Sequence, residues 1–124
     1  MAQFKSVNVV SYHVMDWERA KKFYTETLGW RVFYVNDEMG WIEFGEENAT
    51  HLAISRWEES EPIPPYIGGA TAVLTVDNAI QVTRELRARG VRCENAVNIP
   101  QTVCFGTFYD PEGNRIQFAS GPVE

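Results

Sequence analysis

Residues 14–30, VMDWERAKKFYTETLGW, decide the fold of this chain. Asp16 is the type of residue that caps a helix N-terminus, and Gly29 suits the left-handed turn that closes a helix. Apolar residues recur between them at helical spacing, at Ala20, Phe23, Tyr24 and Leu28. The stretch therefore predicts a helix over about 17–27, set between two β-prone runs.

The same arrangement occurs a second time. Asp77 and Gly90 stand thirteen residues apart, as do Asp16 and Gly29, and the two pairs are offset by 61 residues. Around each pair, β-prone runs and turn residues predict the order βαβββ. The predicted elements are strand 6–14, helix 17–27, strands 30–36, 40–45 and 50–56, strand 70–76, helix 78–88, and strands 91–93, 102–109 and 114–119.

A stretch rich in acidic residues, Pro and Gly separates the two copies. It predicts a first module over about 4–57, a connector over about 58–69 and a second module over about 70–120. At 124 residues, of which 44% are hydrophobic, the chain has the length and composition of one domain with a substantial core. The fold class that follows is α+β.

Charge and hydropathy exclude several classes of partner. The net charge of −6 argues against nucleic acid, whose phosphates require a basic surface. No apolar run is long enough to span a bilayer and the amino terminus lacks a secretory pattern, so we expect a cytoplasmic protein without a membrane partner. Cys93 and Cys104 have no metal-type spacing, and we expect both to be reduced.

Two stretches carry a resemblance to a known family. The first is residues 14–30 and the second is DPEGNRIQF at 110–118. Together they resemble the glyoxalase/bleomycin-resistance/extradiol-dioxygenase superfamily, also called vicinal oxygen chelate, over almost the whole chain. The resemblance implies two βαβββ modules that form curved mixed sheets around a cleft. It also implies a homodimer, which would cover an open sheet edge.

In that family, four strand residues commonly hold a divalent metal. The resemblance places these positions at Val9, Ala53, Thr71 and Gln117. Val9 and Ala53 have no donor atom, Thr71 is a poor ligand, and Gln117 alone cannot hold a metal. The prediction is therefore a protein without the usual metal and without a cofactor.

A displaced metal site is the alternative. His51 lies two residues before Ala53, and His13 lies four residues beyond Val9, so both histidines share a strand face with the usual positions. With Glu43 they could bind one divalent metal. A strand histidine is more often a hydrogen-bonding residue than a ligand, and His13 also matches a position where enzymes of the family meet an anionic group of the substrate.

Aromatic and polar residues supply the remaining candidates. Alternation in WIEF places Trp41 and Glu43 on one strand face, opposite Ile42 and Phe44. A carboxylate among aromatic side chains can have a raised pKa and act as an acid or base, which makes Glu43 and His51 the catalytic candidates. A glutamate at such a position is more often a solvated strand residue. The predicted ligand-binding residues are His13, Trp41, Glu43, His51, Thr71, Tyr109 and Gln117.

Three functions follow from these residues. The leading prediction is a protein of the bleomycin-resistance type that binds a small apolar or aromatic molecule without chemistry. The second is a glyoxalase-like lyase or isomerase that uses a displaced metal or metal-free acid/base residues. The third is a non-catalytic interaction module, in which the dimer surface itself is the function.

Overall fold

The computed structural model describes residues 5–56 and 70–123. The chain divides into two compact units, Met1–Pro64 and Pro65–Glu124. The boundary falls within the connector predicted at 58–69, and the connector itself lies outside the described residues. None of the helices in the described ranges has the length and apolar character required to cross a membrane.

The first unit contains one mixed sheet and one helical segment. In chain order its elements are β1 (Val9–Val14), α1 (Trp17–Lys22), a π-helical turn (Phe23–Thr27), β2 (Val32–Asn36), β3 (Trp41–Phe44) and β4 (His51–Arg56). The strand order is β1-β4-β3-β2, with β1 parallel to β4 and the other neighbours antiparallel. The predicted βαβββ order of this module is confirmed.

The helical segment begins and ends at the predicted residues. The Asp16 carboxylate accepts a hydrogen bond from the Arg19 N–H at 3.2 Å, which satisfies one of the unpaired donors of the first turn. The segment then widens into the π-helical turn, where the Leu28 N–H donates to the Phe23 carbonyl five residues earlier. Gly29, with φ +64°, ends it in the left-handed region.

The core of the first unit lies between the helical segment and one face of the sheet. Ile42 and Phe44 of β3 are fully buried, and the Tyr24 ring stacks on Phe44 with 5.4 Å between the centroids. Trp30 stacks on the same ring at 5.7 Å. The predicted alternation of β3 is therefore confirmed, and the opposite face of the strand carries Trp41 and Glu43.

The second unit repeats this arrangement with one strand divided. Its elements are β5 (Val73–Thr75), α2 (Ala79–Ala88), β6 (Arg92–Cys93), β7 (Val97–Ile99), β8 (Val103–Tyr109) and β9 (Arg115–Ser120). The strand order is β5-β9-β8-β6, with β5 parallel to β9 and with β7 also antiparallel to β8. The sequence did not predict β7, and β6 and β7 together take the place of a single strand.

Helix α2 begins one residue later than the sequence repeat indicates. The side chain that caps it is Asn78, which accepts a hydrogen bond from the Gln81 N–H at 3.0 Å, and not Asp77. The helix packs its buried Thr83 and Leu86 toward β8 and β9. Gly106 of β8 provides the necessary space, since a Cβ there would lie 2.4 Å from the Phe118 ring.

The turn before β9 is built on one buried carboxylate. Asp110 is only 4% exposed, and it accepts hydrogen bonds from the backbone N–H groups of Glu112 and Asn114 at 2.9 and 2.8 Å. The Asn114 side-chain amide donates a third bond at 2.9 Å. This network explains why the predicted turn at 110–114 forms, because an aspartate side chain can mimic the backbone of a tight turn.

Candidate functional site

Four of the predicted site residues lie on one face of the first unit's sheet. Cross-strand register pairs His13 with Ser55 and Ser55 with Trp41, and it pairs Ala53 with Glu43. Residues directly opposite each other on neighbouring strands share a face. His51 belongs to the same face because it lies two residues before Ala53 on β4. This is the face opposite the core, and we call it the polar face of the first unit.

Glu43 is the centre of this face. The Trp41 indole N–H donates to its Oε2 at 2.9 Å, and its Oε1 lies 2.9 Å from His51 Nδ1. The indole hydrogen bond is the main cause that holds the pKa of Glu43 below its usual value, and the His51 contact adds to this, while burial acts in the opposite direction. The raised pKa that an aromatic setting can give a carboxylate is therefore not found at Glu43, because two hydrogen bonds stabilise the ionised form.

The His51 ring is held at both of its nitrogens. Nδ1 faces the Glu43 carboxylate, and Nε2 lies 2.8 Å from the backbone carbonyl oxygen of Glu46. Both partners are oxygen acceptors, so a ring nitrogen that carries a proton donates to the oxygen it faces, and which nitrogen this is depends on the tautomer.

The loop after β3 fixes the position of the His51 ring. Gly45 has φ +132°, and a Cβ at this residue would lie 3.0 Å from His51 Cδ2. Glycine therefore permits both the backbone conformation and the close approach of the ring. The Phe33 ring also lies against the imidazole, with 4.1 Å between ring centroids. His51 is only 7% exposed as a result.

The polar atoms of Glu43 and His51 all have partners within the described residues. Each Glu43 carboxylate oxygen and each His51 ring nitrogen lies within hydrogen-bond distance of one such partner. Within residues 5–56 and 70–123, no group of three or more His, Cys, Asp or Glu side chains has the geometry to hold a metal ion. The displaced site of His13, Glu43 and His51 stays a prediction.

The metal positions implied by the family resemblance lie beside these groups. Val9 is paired with His51 across β1 and β4, and Ala53 is paired with Glu43 across β4 and β3. The polar side chains of His51 and Glu43 thus lie on the strands next to Val9 and Ala53, directly opposite them in register. Val9 and Ala53 themselves contribute only aliphatic groups.

The other three candidates lie on the second unit and are already hydrogen-bonded. Gln117 donates to the Thr107 hydroxyl at 3.2 Å, and the Thr71 hydroxyl accepts from Arg115 at 2.9 Å. The Tyr109 hydroxyl donates to the Glu94 carboxylate, and this bond is the main cause that raises the pKa of Tyr109. Register places Gln117 opposite both Val73 and Thr107 on the sheet.

Three residues that contact or neighbour the predicted site residues were not identified as site residues from the sequence. Phe33 contacts His51 because an irregularity in the pairing of β2 with β3, between Val32 and Tyr34, alters the simple alternation of β2. Arg92 lies over the Tyr109 ring, and Arg115 is the cross-strand neighbour of that tyrosine. The arginine contacts depend on strand pairing, which the sequence alone did not reveal.

Comparison with known proteins identifies the family. A sequence model of the Glyoxalase/Bleomycin resistance protein/Dioxygenase superfamily matches residues 6–118. The chain belongs to this superfamily. Among curated proteins, none matches this superfamily member.

Solved structures of the same superfamily fold resemble this member over nearly its full length. The antibiotic-binding protein TnmS3 from Streptomyces sp. CB03234 is 27% identical, with a TM-score of 0.76 and coverage of 98% of this chain and 99% of that one. A glyoxalase/bleomycin resistance protein from the same strain is 28% identical, with a TM-score of 0.70 and coverage of 91% and 98%. A glyoxalase-related enzyme from Fulvimarina pelagi is 22% identical, with a TM-score of 0.74 and coverage of 97% and 91%, and this likeness shows the fold alone.

Proposed function

We propose that this superfamily member binds a small aromatic molecule and leaves it chemically unchanged. The observation that carries the proposal is the series of hydrogen bonds that links Trp41, Glu43 and His51. These bonds engage the carboxylate of Glu43 and both ring nitrogens of His51, and they hold the Trp41 and His51 rings in fixed orientations. A surface whose side chains are already held in place loses little entropy when a ligand binds.

Exposed aromatic side chains supply the contact surface. Phe33 and Tyr34 of β2 are 44% and 47% exposed, although both are large apolar groups. Trp41 is half-buried on the neighbouring strand. Aromatic side chains with a few fixed polar groups are typical of sites that bind flat ligands.

The comparisons support the same proposal. TnmS3, described as an antibiotic-binding protein, is similar to this chain over almost all of both sequences. Two of the four ligand positions implied by the resemblance, Val9 and Ala53, offer no metal donor. Binding without chemistry requires no donor at either position.

Isothermal titration calorimetry tests the proposal with two flat aromatic antibiotics of opposite charge, doxorubicin and nalidixic acid. We expect saturable binding of at least one in the micromolar range. After prolonged incubation with the protein, mass spectrometry should recover that antibiotic with its mass unchanged. A product of altered mass would favour an enzyme, and no saturable heat with either compound would contradict the proposal.

Substitutions on β2 locate the surface. Phe33→Leu keeps apolar bulk but removes the ring, and we expect about fivefold weaker binding, because a ring–ring contact contributes roughly 0.5–1.5 kcal/mol beyond its buried area. Val35→Ala is the matched control, since Val35 is equally exposed but is paired with Ile42 and so lies on the other face. Equal effects of the two substitutions would place the ligand elsewhere.

A further inference from the structure

Three aromatic side chains share the polar face of the first unit with one carboxylate. Register pairs Tyr34 with Glu43, and Trp41 lies two residues before Glu43 on β3, so both rings belong to that face. The irregular pairing of β2 with β3 brings Phe33 to the same face, where its ring lies 4.1 Å from that of His51. We call Phe33, Tyr34, Trp41 and Glu43 the aromatic–carboxylate cluster.

The carboxylate of this cluster is charged and is accessible to solvent. The Trp41 hydrogen bond, with the His51 contact, lowers the pKa of Glu43, so its side chain is ionised at neutral pH. Within residues 5–56 and 70–123, His51 is the one ionisable side chain that acts on it, and no lysine or arginine is paired with it. The Glu43 side chain is 19% exposed. A carboxylate has about four acceptor sites, and the two contacts use no more than two of them.

The aromatic rings favour the same sign of ligand charge as the carboxylate. The face of an aromatic ring attracts a cation that lies within about 6 Å of the ring centroid. Phe33 and Tyr34 are 44% and 47% exposed, so a ligand can reach both side chains. An ammonium group can then gain from the rings and donate a charge-assisted hydrogen bond to the carboxylate. A neutral head group gains much less from either, and an anionic one is repelled.

We propose that the aromatic–carboxylate cluster binds the ammonium group of a cationic aromatic molecule. The inference deepens the proposed function, on which it rests for the aromatic body of that ligand. Glu43 is then the residue that selects the charge of the ligand, and the rings of Phe33, Tyr34 and Trp41 surround the ammonium group. All four residues lie on one sheet of the first unit.

Tryptamine and tryptophol test the inference, because they share an indole ring and a two-carbon chain and differ in the charge at its end. Titrations at about pH 8, where imidazole groups are generally neutral, leave Glu43 as the charge under test. We expect tryptamine to shift the amide NMR signals of β2 and β3 saturably, with an affinity about tenfold greater than that of tryptophol, the factor expected for a charge-assisted hydrogen bond. Equal affinities, or no saturable shift with tryptamine, would overturn the inference.

Substitution of Glu43 separates this site from a general charge effect. Glu43→Gln keeps the shape of the side chain and removes its charge, so tryptamine should bind about tenfold more weakly while tryptophol binds as before. The unchanged tryptophol affinity also shows that the surface keeps its structure. Glu18→Gln is the matched control, because Glu18 is an exposed residue of α1, which packs on the other side of the sheet. Equal losses for the two ligands, or equal effects of the two variants, would refute the inference.

Substitution of Tyr34 tests the part played by the rings. Tyr34→Leu keeps apolar bulk and removes the ring, and it should weaken tryptamine binding about threefold more than tryptophol binding, as expected for a cation–ring contact. Val35→Leu is the control, because Val35 is paired with Ile42 on the other face, and it should leave the ratio of the two affinities unchanged. Equal losses of both ligands in Tyr34→Leu would overturn the placement of the ammonium group against the rings.

The two proposals can fail separately. The calorimetric test asks whether a flat aromatic antibiotic binds unchanged, whereas the NMR test asks which charge the cluster selects. Saturable binding of nalidixic acid, an anion, in preference to doxorubicin, a cation, would leave the proposed function intact and overturn the ammonium site. Absence of saturable heat with both antibiotics, together with Glu43-dependent tryptamine binding, would contradict the proposed function and support the ammonium site.

Discussion

Replacement of Trp41 with phenylalanine removes one N–H donor and keeps an aromatic ring, so it isolates the bond between the indole and Glu43. That bond is 2.9 Å long and is the main cause of the lowered Glu43 pKa. A hydrogen bond to a charged group contributes roughly 1.5–3 kcal/mol to stability. Because the Glu43 side chain remains 19% exposed and water can replace part of the donation, we expect a loss near the lower end, about 1.5 kcal/mol.

The loss should depend on pH in a defined direction. The folded-state pKa of Glu43 is lowered from its ordinary value of 4.5, so the carboxylate contributes stability that is fully present above that value. This contribution disappears as the pH falls through the folded pKa. Trp41→Phe should therefore be fully destabilising at about pH 7, and its cost should decrease as the pH is lowered through the acidic range in which the carboxylate becomes protonated.

Urea unfolding followed by far-ultraviolet circular dichroism measures the loss at neutral and at acidic pH. Trp30→Phe is the matched control, because its indole stacks on Phe44 and bonds no carboxylate among residues 5–56 and 70–123. The control should lose packing energy equally at neutral and at acidic pH. A Trp41→Phe deficit that is the same under both conditions would refute the assignment of the Glu43 pKa to the indole bond.

Two further predictions concern the second unit. Gly106→Ala should lower the free energy of unfolding by about 1–3 kcal/mol, because the new methyl group would lie 2.4 Å from the Phe118 ring. Gly121→Ala, which meets no atom within 4 Å, should change it by less than about 0.5 kcal/mol, and equal costs in urea unfolding would contradict this packing argument. Asn78→Ala should cost about 1 kcal/mol through the lost cap, whereas Asp77→Ala should cost much less; a greater loss for Asp77→Ala would identify Asp77 as the cap.

Local pattern was sufficient to predict most of the fold. The apolar alternation of β3 identified Ile42 and Phe44 as core residues, because a strand with one buried face leaves a period of two in its sequence. The β7 segment escaped prediction because Val97–Ile99 is short and half exposed, and its strand conformation depends on pairing with β8. Such pairing is a long-range property that three residues do not encode.

The candidate site was predictable in its location but not in its chemistry. Alternation placed Trp41 and Glu43 on one face, which the structure confirms. The direction of the Glu43 pKa shift depends on where the indole N–H and the His51 ring point, and side-chain torsions decide this. The sequence indicated an apolar environment, for which a raised pKa is the usual expectation, but the two donors outweigh burial.

The π-helical turn Phe23–Thr27 changes how the two modules should be aligned. The helix caps Asp16 and Asn78 are 62 residues apart, whereas the closing glycines Gly29 and Gly90 are 61 apart. The first helical segment therefore holds one residue more than the second between equivalent ends, and the wide turn accommodates it. Between equivalent ends the two helical segments thus differ in length by a single residue. Deletion of one residue from this turn should restore an ordinary α-helix with both ends in place.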